Sequence, residues 1–117
     1  MLIMEYEGTL VSENERLQRT KQGKYFASTK YKKIKEEYRK VMKLCKLNKP
    51  YQFNIFVSTY KDIDNIIKPL LDVMQETGII ENDKHVEMLK IKKTPIKRNE
   101  IEKIEVYGYG TGENDEK

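Results

Sequence analysis

Apolar and polar positions alternate from the start of the chain. Leu2, Met4 and Tyr6 fall on one side of a strand within Met1–Leu10, which Gly8 interrupts. Residues 11–27 are polar and without period, with Gly23 among them, and predict a loop. The spacing then becomes helical from Thr29 to about Lys46. Tyr31, Ile34, Tyr38, Val41 and Cys45 share one face, with Ser28 as N-cap and Asn48-Lys49-Pro50 as the stop. Tyr51–Thr59 alternates again, with Tyr51, Phe53, Ile55 and Val57 on one side. After a turn at Tyr60–Asp64, a second helix runs through the region Asn65–Thr77, with Gly78 suited to its C-terminal cap. A loop over Ile79–Lys84 precedes two further strands, Val86–Lys93 and Ile101–Tyr107. Thr94–Glu100 is expected to join them as a hairpin. Gly108–Lys117 is polar, Gly-rich and acidic, so one domain of residues 1–109 with a disordered tail at 110–117 is expected. The order β-α-β-α-β-β predicts an α/β (α+β) fold, a mixed sheet with two helices packed on it.

Composition narrows the class. The chain has 117 residues, enough for one modest core. Charged residues make up 36% and the mean hydropathy is −0.80. The apolar runs are too short to span a bilayer, and Met1–Tyr6 lacks the basic start and long apolar stretch of a signal peptide. No membrane partner is expected. Cys45 is the only cysteine, so no intramolecular disulfide can form and a reducing cytoplasm is the expected compartment. The net charge of +4, with basic residues clustered in Lys30–Lys46 and Lys90–Arg98, favours phosphate-rich partners.

The segment with chemistry in it runs from Lys61 to Met74. Asp62 and Asp64 stand two apart where a strand gives way to a helix, so both carboxylates can face one point beside a positive helix terminus. Hard oxygen ligands of this kind suit Mg²⁺. Asp64, Lys68 and Asp72 follow at i, i+4, i+8 and stack on one stripe, opposite the arc of Ile66, Ile67, Leu70, Leu71, Val73 and Met74. From spacing alone a structural reading is the stronger: Asp64 as N-cap, Lys68 as a surface ion pair, Asp62 as a turn residue. Pro69 disturbs an ideal helix, so either the first turn is irregular or the regular helix starts nearer Pro69. A third acid, Asp83, approaches the first two if the strand after it pairs beside Tyr51–Thr59.

The pattern Asp62-x-Asp64-Asn65-x-x-Lys68, then Leu70-Leu71-Asp72, Gly78 and Asp83, resembles the RusA family of Holliday-junction resolvases. Ser12-Glu13-Asn14 resembles the family's S-x-N near the end of the first strand, and the likeness extends over about residues 1–109. The resemblance implies a RusA-like fold and a homodimer that binds four-way DNA junctions. It implies cutting of two opposed strands by Mg²⁺-dependent phosphodiester hydrolysis, in recombination and repair. It assigns Asp62, Asp64 and Asp83 to the metal and Lys68 to catalysis. Asn82 stands where the family has an acid, and Val11 where it has a proline before S-x-N.

DNA contact is expected to be mostly electrostatic, through Lys30, Lys32, Lys33, Lys61, Lys90, Lys92, Lys93, Lys97 and Arg98, with Asn14 added by the S-x-N likeness. The competing reading is a non-catalytic or differently specific binder of branched nucleic acid with the same fold. A D-x-D phosphatase and a calcium loop both fit poorly, the second because Gly and the terminal Glu are missing. His85, the sole histidine, has no nucleophile motif around it, and Cys45 reads as a packing residue.

Overall fold

The computed structural model describes residues 1–13, 17–19, 25–27 and 29–110; for 17–19 and 25–27 it describes the backbone alone. Asn14, Ser28 and the tail 111–117 lie outside the described residues. Six strands and two helices follow in the order β1 (Leu2–Glu7), β2 (Leu17–Arg19), β3 (Tyr25–Ala27), α1 (Thr29–Val41), β4 (Tyr51–Thr59), α2 (Ile63–Glu76), β5 (Val86–Pro95) and β6 (Lys103–Gly110). A four-stranded mixed sheet in the order β1-β6-β4-β5 carries both helices, an α+β fold compatible with the RusA-like architecture expected.

β4 is the centre of the molecule. Tyr51, Phe53, Ile55, Val57 and Thr59 are all buried, and between them side chains of alternating parity point the other way. β5 pairs with β4 in parallel and β6 with β4 antiparallel. The expected hairpin between the last two strands is therefore corrected: β4 lies between them, and residues 96–102 carry the chain past its end. The physical reason is the βαβ unit. α2 returns the chain to the start of β4, which leaves β5 parallel and sends β6 to the other side.

Two further expectations change. The polar stretch 11–27 contains a two-stranded antiparallel sheet of β2 and β3, too short and polar to show a period. α1 ends at Val41 rather than near Lys46. Beyond Met42 the backbone bonds across the fold: the Lys43 N–H donates to the Ile3 carbonyl at 2.8 Å and the Leu47 N–H to Ile79 at 2.9 Å. These bonds replace another helical turn and bury Met42 and Leu47, while Val41 is exposed and Cys45 lies half-buried past the helix. Burial pushes the Cys45 thiol up from its ordinary pKa.

Tyr31, Ile34 and Tyr38 of α1 and Ile66, Ile67, Leu70, Val73 and Met74 of α2 close the core over one sheet face. α2 ends in a Schellman turn: Gly78 takes φ +82°, its N–H donates to the Gln75 carbonyl, and the Ile79 N–H donates to Met74. No helix among the described residues is long and apolar enough to cross a membrane.

Candidate functional site

β4 ends at Thr59 and α2 begins at Ile63, so four residues make the strand-to-helix turn. The turn is tied from behind. Glu102, almost fully buried, accepts the Leu10 N–H at 3.1 Å and the Lys61 ammonium at 3.0 Å, and also receives the Thr59 hydroxyl. Lys61 Nζ donates as well to the Leu10 carbonyl at 2.7 Å, and Lys93 Nζ caps the Lys61 carbonyl at 2.7 Å. A buried ion pair thus joins the end of β4, the segment after β1 and the approach to β6.

Asp62 is the N-cap of α2 in extended conformation, and its side chain makes no capping bond. Asp64 is not the cap, as spacing suggested, but lies in the first turn. The helix runs unbroken through Pro69, which is buried on the apolar face although it has no N–H to give the Asn65 carbonyl. Both carboxylates are exposed, and among the described residues neither has a hydrogen-bond or ion-pair partner. Two acceptor groups beside a helix N-terminus are thus left open toward solvent.

Lys68 follows one turn on. Its ammonium donates forward to Asp72 Oδ1 at 2.8 Å. That bond first, and then the charges of Asp72, Asp83 and Glu13, hold its pKa above the usual lysine value, so it is a cation throughout the neutral range. The i, i+4 spacing predicts Asp72 as a neighbour of Lys68, whereas only the fold brings in Glu13, whose carboxylate receives the Tyr31 hydroxyl at 3.4 Å.

Asp83 opens a short 3-10 turn, Asp83–His85. Its N–H donates to Gln75 Oε1 at 2.9 Å, which anchors it to the last turn of α2. Asn82 uses its side-chain oxygen to cap this turn through the Lys84 N–H at 2.9 Å, so that carbonyl is engaged. The expected pairing of the next strand with β4 is present, but it is parallel and sets Val86 opposite Tyr51. Asp83 therefore enters near the start of β4, and Asp62 lies past its end. Among the described residues no three His, Cys, Asp or Glu side chains gather closely enough to hold a metal ion. Instead Asp64 precedes Lys68 by one turn of α2, Asp72 follows it by one turn, and the charge of Asp83 reaches it from the turn after the helix.

The basic candidates divide by burial. Lys61 and Lys93 turn their ammonium groups inward, as above, so the structure sets them apart from phosphate-facing lysines. Lys30, Lys32 and Lys33 lie exposed in the first turn of α1, which has no acid. Lys90 and Lys92 are exposed on β5. Lys97 and Arg98 are exposed in the 96–102 connection, and Arg98 stacks 4.9 Å from the ring centre of Tyr60, beside the Asp62 turn. Tyr60 was not singled out in the sequence. Its position directly before Lys61-Asp62 is the signal that an aromatic borders the acids.

Residues 54–107 match the family model described as endodeoxyribonuclease RusA, a span that contains Asp62, Asp64, Lys68 and Asp83. No curated protein matches the chain.

Proposed function

We propose, from the match of residues 54–107 to the RusA family model, that this chain is a Mg²⁺-dependent endonuclease that resolves four-way DNA junctions. One observation carries the reading. Two carboxylates without partners among the described residues, the N-cap Asp62 and Asp64, precede the charged Lys68, Asp64 by one helical turn, inside the matched segment.

The donor set fits the metal. Mg²⁺ takes one or two protein carboxylates and fills its other positions with water and phosphate oxygen. Asp62 and Asp64 would hold it, with Asp83, tied to Gln75 of α2 through its N–H, as the third acid. The chemistry supplied by Mg²⁺ held there would be activation of a water and stabilisation of the leaving oxygen. Lys68 offsets negative charge on the phosphoryl oxygens, and its raised pKa bars it from accepting a proton at neutral pH. Lys30, Lys32, Lys33, Lys90, Lys92, Lys97 and Arg98 supply phosphate contacts, so junction binding falls steeply with salt. A homodimer would offer two such sites to two opposed strands.

The test is a panel of synthetic four-way junctions, flaps and linear duplexes incubated with the chain in Mg²⁺ or in chelator. Paired nicks on the junction in Mg²⁺ alone are expected. Asp62→Asn and Asp64→Asn should abolish cutting and weaken Mg²⁺ binding while junction affinity stays within a few-fold. Asp83→Asn should abolish cutting too, and its effect on Mg²⁺ affinity decides whether Asp83 touches the metal or acts through Lys68. Cutting in chelator, or near wild-type cutting by Asp64→Asn, defeats the proposal. The second reading, a non-catalytic junction binder, draws on the open arrangement of the three aspartates. Tight junction binding without metal-dependent nicks would favour it.

A further inference from the structure

β5 reaches β6 through residues 96–102, and this connection is fastened at the end of β4. The Ile96 N–H donates to the Thr59 carbonyl at 3.4 Å. Within the connection Lys97–Glu100 is a turn tied twice. The Glu100 N–H donates to the Lys97 carbonyl at 3.0 Å, and the Lys97 N–H donates to Glu100 Oε1 at 2.8 Å. Those bonds set Arg98 and Asn99, the two central residues, at the tip of a closed turn.

The tip stands against Tyr60, the half-buried aromatic that precedes Lys61 and Asp62. The Arg98 guanidinium lies 4.9 Å from the centre of its ring, within cation–π range. Gly8, Thr9, Tyr60, Arg98, Asn99 and Ile101 line a cleft of about 230 Å³, and Ile101 is 74% exposed there. This is less than the roughly 300 Å³ at which pockets for drug-sized ligands begin, and it suits one planar ring system.

Charge argues for a neutral occupant. Glu100 and Glu102 also line the cleft, two carboxylates against the one guanidinium of Arg98. Lys61 does not change that balance, because its ammonium is bonded inward to Glu102 and the Leu10 carbonyl. A phosphate would meet net repulsion. What the cleft offers instead is an aromatic face, a guanidinium plane, an exposed aliphatic side chain and an amide. Among the described residues the Asn99 side chain has no hydrogen-bond partner and Arg98 has no ion-pair partner. An amide presents a donor and an acceptor side by side, the pattern that meets the edge of a base.

We propose that this cleft takes one unstacked base from the branch point of a DNA junction, stacked against Tyr60 and Arg98 with its edge toward Asn99. The inference rests on the junction reading above and names the part of the substrate that sits beside the acids. Tyr60 and Asp62 are two residues apart, so their Cα atoms are at most about 7 Å from each other. That is about two steps along a DNA strand at roughly 3.4 Å per nucleotide. Aromatic and guanidinium planes hold single-stranded bases in this way. Stacking uses the plane of Arg98 and leaves its N–H fork for the neighbouring phosphate. Ile101 gives the duplex end an apolar surface in place of the departed base.

The test uses synthetic four-way junctions in chelator, with 5-iodouracil placed in turn at each nucleotide flanking the branch point. Ultraviolet light joins this base to an aromatic ring stacked on it. One position is expected to give an adduct that maps to Tyr60, kept in Tyr60→Phe and lost in Tyr60→Leu, with thermal unfolding to confirm that each variant folds. Tyr60→Leu should weaken junction binding by roughly fivefold or more and leave binding of linear duplex unchanged. An abasic site at the adduct position should weaken wild type by a similar factor and Tyr60→Leu no further, since both remove one contact. Asn99→Ala should level the affinities of junctions that differ only in the base at that position. An adduct that maps away from Tyr60, losses from Tyr60→Leu and the abasic site that multiply, or a base preference unchanged in Asn99→Ala overturns the proposal. Junctions cut in Mg²⁺ without any Tyr60 adduct overturn it and leave the nuclease reading standing. A Tyr60 adduct on junctions that are never cut in Mg²⁺ refutes the nuclease reading and leaves the base site standing.

Discussion

The ammonium of Lys68 is bonded to Asp72 Oδ1, one helical turn ahead, and not to Asp64, one turn behind. The direction of that bond leaves Asp64 open while Lys68 stays charged. Lys68→Met is expected to slow single-turnover cleavage about 10²-fold, the scale of losing one donor to a developing oxyanion, with junction affinity little changed. Lys68→Arg should recover part of the rate. Because the Lys68 pKa is raised, its charge persists up to and beyond the ordinary lysine range. The pH profile of cleavage should therefore show no falling limb from this residue near neutrality.

Glu102 and Lys61 form a buried pair, with side chains 4% and 10% exposed. Glu102→Ala strands the ammonium of Lys61 and frees the Leu10 N–H, and should lower unfolding stability by about 3–5 kcal/mol. Replacing both partners at once, Lys61→Met with Glu102→Leu, should cost much less. Urea denaturation of the two single variants and the double variant measures the difference. Equal losses in Glu102→Ala and the double variant would show that packing, not the charge pair, sets the cost.

Glu76 joins the two helices by accepting from Lys35 at 3.0 Å and from Arg39 of α1. Partial burial pushes its carboxyl up, but these two cations outweigh that and hold its pKa below the ordinary glutamate value. The stabilisation is therefore present above the unfolded-state pKa and disappears as pH falls through the lower folded-state value. Because Glu76 is well exposed, the pair is worth under about 1 kcal/mol after solvent screening. Glu76→Gln should be measurably less stable than wild type at pH 7, with the gap closing in strong acid.

Two glycines should respond to alanine for different reasons. A Cβ on Gly108 would stand 2.7 Å from the Phe53 ring and 3.0 Å from Ile3, so Gly108→Ala overpacks the core at a cost of about 1–3 kcal/mol. A Cβ on Gly78 meets nothing within 4 Å, but φ there is +82°. Gly78→Ala should cost about 1–2 kcal/mol through backbone strain alone. Chemical denaturation checks both, and a phenylalanine truncation at Phe53 should relieve the first and leave the second untouched.

The family segment was legible because its signals are local. The Asp62, Asp64, Asn65 and Lys68 spacing, the alternation of Tyr51–Thr59 and the apolar arc of α2 each depend on a few neighbouring residues, and periods of 2 and 3.6 survive in any fold. The Gly78 cap was legible for the same reason, since a positive φ is a one-residue demand. Strand order was not local. Whether β6 pairs with β5 or with β4 depends on which edge of the central strand remains free after α2 packs, a contest between distant surfaces that no window of sequence contains. The end of α1 was likewise settled by bonds from Lys43 to Ile3 and from Leu47 to Ile79, partners 40 and 32 positions away. Lys61 looked like one more solvated lysine because its counter-charge, Glu102, lies 41 positions on. Charge type and period are properties of the chain; which charges meet, and which acids face Lys68, follow from how the strands close.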